Sequence, residues 1–146
     1  MIYDTSTKNK EIIRKINEKI GSGYSFLKSL KMGGTGSNRM LISQCSEDMK
    51  EFLSKFRGPK YASIELRPKG IIVHLKKNNT THHSWVIPFY KLVIYSTDNF
   101  AIYEDGKFIR FDRSKFLPSN NKFVSRLLEM KAQYWTEFKP EEELIF

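Results

Sequence analysis

Three histidines, a lone cysteine, a glycine-rich loop and a set of interleaved cations and rings are the residues here whose types could do chemistry. His74, His82 and His83 could approach one another across a hairpin and share a metal ion. Zinc asks for three or four ligands in fixed geometry. Neighbouring residues of a strand point to opposite faces, so at most one of His82 and His83 can join His74. No cysteine or tight carboxylate cluster completes a set, so ordinary strand histidines are the simpler reading and no metal or cofactor is expected. Cys45 precedes Ser46 at the start of a predicted helix, whose dipole would lower its thiol pKa somewhat. A nucleophile would also need a base beside it. The simpler reading is a small, half-buried residue near a helix cap. No pair of carboxylates stands out for acid–base work.

Anion binding has more candidates. Backbone N–H groups of a loop such as Gly33-Gly34-Thr35-Gly36-Ser37-Asn38-Arg39 can cradle a phosphate, and Lys31 and Arg39 flank it. A nucleotide-binding P-loop needs four residues between its glycines and then Lys-Ser or Lys-Thr, and neither is present. No dinucleotide fingerprint fits either. The competing expectation is a mobile surface loop. Arg67-Pro68-Lys69-Gly70 reads as a turn that frees the Arg67 and Lys69 side chains from the sheet. If the ligand is an anion, Lys31, Arg39, Arg67 and Lys69 are expected to meet it. Further cations, Lys76, Lys91, Lys107 and Arg110 among them, interleave with Tyr90, Tyr95 and Tyr103. Exposed rings on a sheet can stack bases, but the ribonucleoprotein signature is absent, and rings on strands more often belong to a core.

Composition sets the outer bounds. The chain has 146 residues, 40% of them hydrophobic and 14% aromatic. That suits one domain over 1–146 with a proper core. No apolar run approaches the roughly 20 residues needed to span a bilayer. The N-terminal stretch is charged throughout, unlike a signal peptide, and one cysteine cannot make an internal disulfide. A cytoplasmic protein is expected. The net charge is +9. Residues 1–60 carry 12 basic and 6 acidic side chains, 61–120 carry 9 and 5, and 121–146 carry 4 and 5. The excess thus sits in the N-terminal part and the sheet, which favours an anionic partner or simply solubility.

The elements that must position these groups follow from periodicity. Ile12, Ile13, Ile16 and Ile20 lie on one side of a helix over 5–20, with caps at 4–7 and Gly21 as its stop. Residues 22–45 fit neither period, apart from a short strand expected to begin at Met40. Residues 46–56 predict a second helix, with Met49, Phe52, Leu53 and Phe56 on one face and Gly58-Pro59 after it. From Tyr61 to Asp112 about six short strands alternate with tight turns. Ala62, Ile64 and Leu66 alternate with Ser63, Glu65 and Arg67, so one face is buried and one wet. Pro88 marks an edge or a strand break, and strand resumes at Tyr90 to Tyr95. Asp105-Gly106 is a strong hairpin signal. Residues 122–138 predict a helix packed on the sheet through Leu127, Leu128, Tyr134 and Trp135. The tail 139–146, acidic then apolar, reads as solvated or as a segment for a partner's groove.

A meander of short strands followed by one C-terminal helix carrying a Trp resembles a pleckstrin-homology-like barrel. The stretch Ser84-Trp85-Val86-Ile87-Pro88-Phe89-Tyr90-Lys91-Leu92 is similar to a strand of bacterial proteins of that superfold, and Ile64 to Gly70 resembles uncharacterised small bacterial proteins. The resemblance covers residues 61–138 and implies a binding scaffold rather than an enzyme. The expectation is therefore an α+β fold: an antiparallel, possibly barrel-like sheet with a packed C-terminal helix, preceded by a helical region over 1–60. It would serve as a non-catalytic binding module for an anionic ligand or a protein partner. A nucleic-acid-binding protein is the alternative, and an enzyme without a recognisable motif the third reading.

Overall fold

A computed structural model describes residues 1–76 and 81–137. The expected polar loop at 78–81 falls largely outside these residues, and the tail at 139–146 does so entirely. The fold is α+β. Its elements are β1 (Ile2–Asp4), α1 (Lys10–Ile20), α2 (Phe26–Lys31), β2 (Met40–Cys45), α3 (Glu47–Leu53), β3 (Tyr61–Arg67), β4 (Gly70–Lys76), β5 (His82–Pro88), β6 (Val93–Ser96), β7 (Phe100–Glu104), β8 (Lys107–Phe111) and α4 (Pro118–Glu137).

All pairings are antiparallel, in the order β1-β5-β4-β3-β2-β8-β7-β6. The sheet stays open, with β1 and β6 as its edges, so the barrel closure entertained above is not reached. Six strands over 61–112 match the expected meander. The other two lie within residues 1–60: β1 was not expected, and β2 begins at Met40, where a short strand was. β2 pairs with β3 through Met40 and Leu41 and with β8 through Ile42, Gln44 and Cys45, and its register shifts between Ile42 and Gln44. Such a bulge bends a strand and increases its twist, which lets one strand join the two halves of the sheet. The meander is followed by one long C-terminal helix, α4. No helix of the described residues is long and apolar enough to cross a membrane.

Local chemistry explains the turns. Asp105 (φ 48°) and Gly106 (φ 82°) both lie in the left-handed region, as a two-residue hairpin matched to the sheet's twist requires. Tyr90 to Leu92 is turn rather than strand: Lys91 and Leu92 donate their N–H groups back to the Pro88 and Phe89 carbonyls, and β6 begins only at Val93.

β4 and β5 are buried on both faces. Ile71, Val73 and Leu75 point into the main core with Trp85 and Ile87. Ile72 and Val86 point outward and are covered by Ile16 and Ile20 of α1. α1 itself starts later than periodicity suggested, because residues 2–4 pair with β5 and Asn9 supplies the cap, accepting from Glu11 and Ile12 N–H. α4 starts earlier, with Pro118 in its first turn, where a missing N–H costs nothing. Phe123, Val124 and Leu127 of α4 are fully buried, and Tyr134 meets Phe89 at 5.5 Å between ring centres. Leu128 and Trp135, expected in this contact, are 39% and 42% exposed. Residues 127, 128, 134 and 135 share an arc of about 120° of the helix, and the sheet settles on the overlapping arc of 123, 124, 127, 130 and 134, which leaves 128 and 135 at its rim.

Candidate functional site

Where α1 leaves the outer face of the sheet uncovered, a cleft of about 520 Å³ opens. The antiparallel register sets its floor: His74 faces Ser63 on β3 and Lys76 faces His82 on β5, and all four side chains share the outer face. The wall is the segment between α3 and β3, with Phe56, Arg57, Pro59 and Lys60. Arg39, just before β2 and beside β3, completes it. Arg39, Arg57, Lys60, Lys76, His74 and His82 all line this space, and no Asp or Glu does among the described residues.

Several of these groups are held. The Arg39 guanidinium lies 4.8 Å from the centre of the Tyr61 ring, an attraction between a cation and a π face. The residue before it is fastened too: Asn38 N–H donates to Asn120 Oδ1 at 2.9 Å, and Asn38 Nδ2 to Ser119 Oγ at 2.7 Å. Lys60 Nζ donates to the carbonyls of Phe56 and Gly58 just beyond α3. Arg57 and Lys76 are exposed. Such an arrangement can bind an anion with several oxygens. It offers no carboxylate for proton transfer.

His74 Nε2 lies 3.0 Å from Glu65 Oε1, and Glu65 also pairs with Arg67. Burial pushes the Glu65 carboxyl up, but the hydrogen bonds and charges of His74 and Arg67 outweigh it and leave the group below its ordinary range. A carboxyl with a depressed folded pKa contributes stability in full above its unfolded pKa and loses it as pH falls through the folded value. Thermal melts from about pH 5 to about pH 3 are expected to show this loss. Glu65→Gln should flatten that slope, and an unchanged slope would remove Glu65 from the acid response.

The four cations expected to meet an anion do not assemble. Arg39 lines the cleft. Arg67 sits at the far end of β3, where it donates to Glu65, Asn17 Oδ1 and the Gly21 carbonyl. Its guanidinium is occupied in tying α1 to the sheet. Lys69 is exposed on the β3–β4 turn, and Lys31 is exposed at the end of α2. Tyr61, whose ring Arg39 covers, and Arg67 stand at opposite ends of β3, about 20 Å apart at roughly 3.3 Å per strand residue.

The glycine segment is not a free loop. Gly33 (φ 80°) and Gly34 (φ 98°) end α2, donating to the carbonyls of Leu30 and Ser29. Thr35 to Ser37 then run along β3: the Thr35 carbonyl accepts from Leu66, and Ser37 N–H donates to Ile64. The N–H groups of Gly33, Gly34, Ser37 and Asn38 are thus spent inside the molecule and do not form a phosphate cradle. Cys45 is half-buried beside the start of α3, as the simpler reading had it, but its thiol is not lowered: burial pushes it up, with Asp48 and Glu47 adding to the rise against Lys50. His82 shares the outer face with His74, while His83 points inward against Phe52 at 4.9 Å. Among the described residues no group of three His, Cys, Asp or Glu side chains stands ready to hold a metal.

Arg57, Lys60 and Lys76 were missed as site residues because their proximity depends on strand register and on the path after α3. The usable signal was parity: 74, 76 and the residue opposite 76 share one face of any antiparallel pair.

No known family model matches the chain, and no curated protein does. Its solved likenesses include a structure of the Vav1 exchange factor concerned with the structural role of its PH and C1 domains, at TM-score 0.41 and 12% identity over 90% of this chain and 33% of that one. Autoinhibited Vav1 is similar at TM-score 0.39 and 12% identity, over 90% of this chain and 23% of that one. The chain spans a third or less of these proteins, and the likenesses are too distant to bear on its chemistry.

Proposed function

We propose that the chain is a single-domain, non-catalytic binding module whose cleft between β3, β4, β5 and the α3–β3 segment takes a phosphorylated anion. The observation that carries this reading is the lining: four Lys and Arg side chains and two His around one space, with no carboxylate among the described residues. Charges of one sign in a concave surface focus their field and raise the local concentration of an oppositely charged ligand. Arginines offer planar forks suited to phosphate oxygens. The raised Cys45 thiol and the absence of a carboxylate in the cleft favour binding over catalysis.

The phosphate could be carried by a soluble molecule, a lipid headgroup or a nucleic acid. The last draws on Tyr95 and Tyr103, whose rings meet at 5.1 Å on the outer face of β6 and β7, with Tyr95 57% exposed. Titration calorimetry with an inositol polyphosphate, phosphoinositide vesicles and a single-stranded oligonucleotide separates the three. The wild type is expected to bind at least one probe, more weakly as salt rises. An Arg39→Glu, Arg57→Glu, Lys76→Glu variant should lose at least about tenfold, the worth of one charge-assisted contact or more. No binding at low salt, or equal binding by the variant, would end the proposal.

A further inference from the structure

α2 turns Phe26, Leu27 and Leu30 to solvent at 77%, 70% and 61% exposure. The spacing of 26, 27 and 30 places all three on one side of a helix. The other side faces the protein, where Ser29 Oγ lies 3.4 Å from Thr35 Oγ1 and Met32, just beyond the helix, packs on the core. The helix is capped at both ends, by Ser25 Oγ accepting from Lys28 N–H and by Gly34 N–H donating to Ser29. The exposure is therefore built into an ordered element. Three large apolar side chains held outward side by side mark an interaction surface rather than scattered surface residues.

The surrounding charge indicates the partner. Residues 19–37 contain Lys19, Lys28 and Lys31 and no Asp or Glu. Two of these cations lie within α2 itself. Glu129 is the carboxylate on the neighbouring α4 that shares a groove with Lys28. A second copy of the chain would bring Lys28 and Lys31 against their own counterparts. An anionic lipid surface meets both features at once, because apolar side chains seat at the boundary of headgroups and acyl chains while lysines stay among the phosphates. We infer that α2 is a docking finger for an anionic bilayer surface, with Phe26, Leu27 and Leu30 entering the interface and Lys28 and Lys31 holding headgroups.

This surface is distinct from the basic cleft. α2 is strung between Gly23, beside the Arg67 guanidinium, and Thr35, bonded to Leu66, so it belongs to the Arg67 end of β3. The cleft lies at the Tyr61 end. A bilayer held at α2 leaves the cleft open to ligands from solution.

The test is flotation of the whole chain with phosphatidylcholine vesicles, with and without phosphatidylserine, at low and high salt. The wild type is expected to float with phosphatidylserine vesicles and to lose binding as salt rises. A Phe26→Gln, Leu27→Gln, Leu30→Gln variant should lose at least about tenfold while melting like the wild type, since none of the three side chains is buried. The Arg57→Gln, Lys76→Gln variant, which leaves α2 and its lysines intact, should lose far less than the triple variant. Wild type that fails to float, or a triple variant that floats equally well, would overturn the inference. So would flotation lost only through the cleft substitutions, which would leave the cleft reading standing. Light scattering closes the remaining route: a wild-type dimer that the triple variant dissociates, without vesicle binding, would assign α2 to self-association and overturn the lipid reading.

Discussion

Trp85→Ala is expected to destabilise the protein by about 3–5 kcal/mol, the range for removing a large aromatic side chain from a packed core. Trp85 is fully buried in β5, beside Ile2 of β1 and Val73 of β4. Its indole N–H donates to Glu104 Oε1 at 2.9 Å, and Glu104 is itself only 5% exposed. The Met1 amino group lies 3.1 Å from the same oxygen. Trp85→Phe separates packing from hydrogen bonding: it keeps most of the ring but leaves the buried carboxylate short of a donor, at about 1–3 kcal/mol. Trp135, 42% exposed on α4, gives the contrast, and Trp135→Ala should cost less than about 1 kcal/mol. Urea titrations followed by circular dichroism measure all three. Equal losses at Trp85 and Trp135 would mean that the core is not organised around β5.

That contrast marks where sequence reading stops. Periodicity carries the type of an element, and in this chain it located the meander, its hairpin at Asp105-Gly106 and the C-terminal helix. It does not choose among adjacent apolar residues of a wide helix face. Leu127 and Leu128 are equivalent in composition, and only the position of the sheet buries one and exposes the other. β1 was invisible for a related reason: three residues are too few to show a period, and their strand character comes from the edge that β5 offers. α2 escaped notice because its six residues make fewer than two turns, too few to show a helical period.

The site was legible in chemistry but not in geometry. A basic excess in the N-terminal part and the sheet pointed to an anion, and Arg39 stood out beside the glycine segment. Arg67 looked free because it adjoins a turn, yet turn residues next to a helix end become tie points. The Gly21 carbonyl at the end of α1 and Asn17 on α1 are both within reach of its guanidinium. Lys76 was one of many cations interleaved with rings and Arg57 was not singled out, and the fold brings them to one cleft through pairing across β4 and β5 and through the path of the chain after α3.

Gly70→Ala is expected to be the other strongly destabilising single change, although it adds only one methyl group. The carbon would collide with the Ile87 carbonyl oxygen and stand 2.5 Å from Ile20 Cγ2 and 3.0 Å from Pro88 Cα. Two of these are backbone atoms of β5, so neither strand can yield without disturbing the ladder in which Gly70 opposes Pro88. Overpacking a well-fitted site costs about 1–3 kcal/mol and sometimes more. The third contact is the last buried residue of α1, so the same methyl would also pry α1 from Ile72 and Val86. Ile20→Ala removes that contact and leaves the carbonyl clash, which makes a double-mutant cycle informative. Beside Ile20→Ala, the Gly70→Ala change should cost less than in the wild type but remain clearly destabilising. Hydrogen exchange would show where the damage lies: amides of α1 and of the Arg67–Gly70 turn should lose protection before those of β7 and β8. If Gly70→Ala is neutral, β4 and β5 are further apart at this turn than the structure shows. If its cost vanishes with Ile20→Ala, the helix alone, and not the strand pairing, demands glycine there.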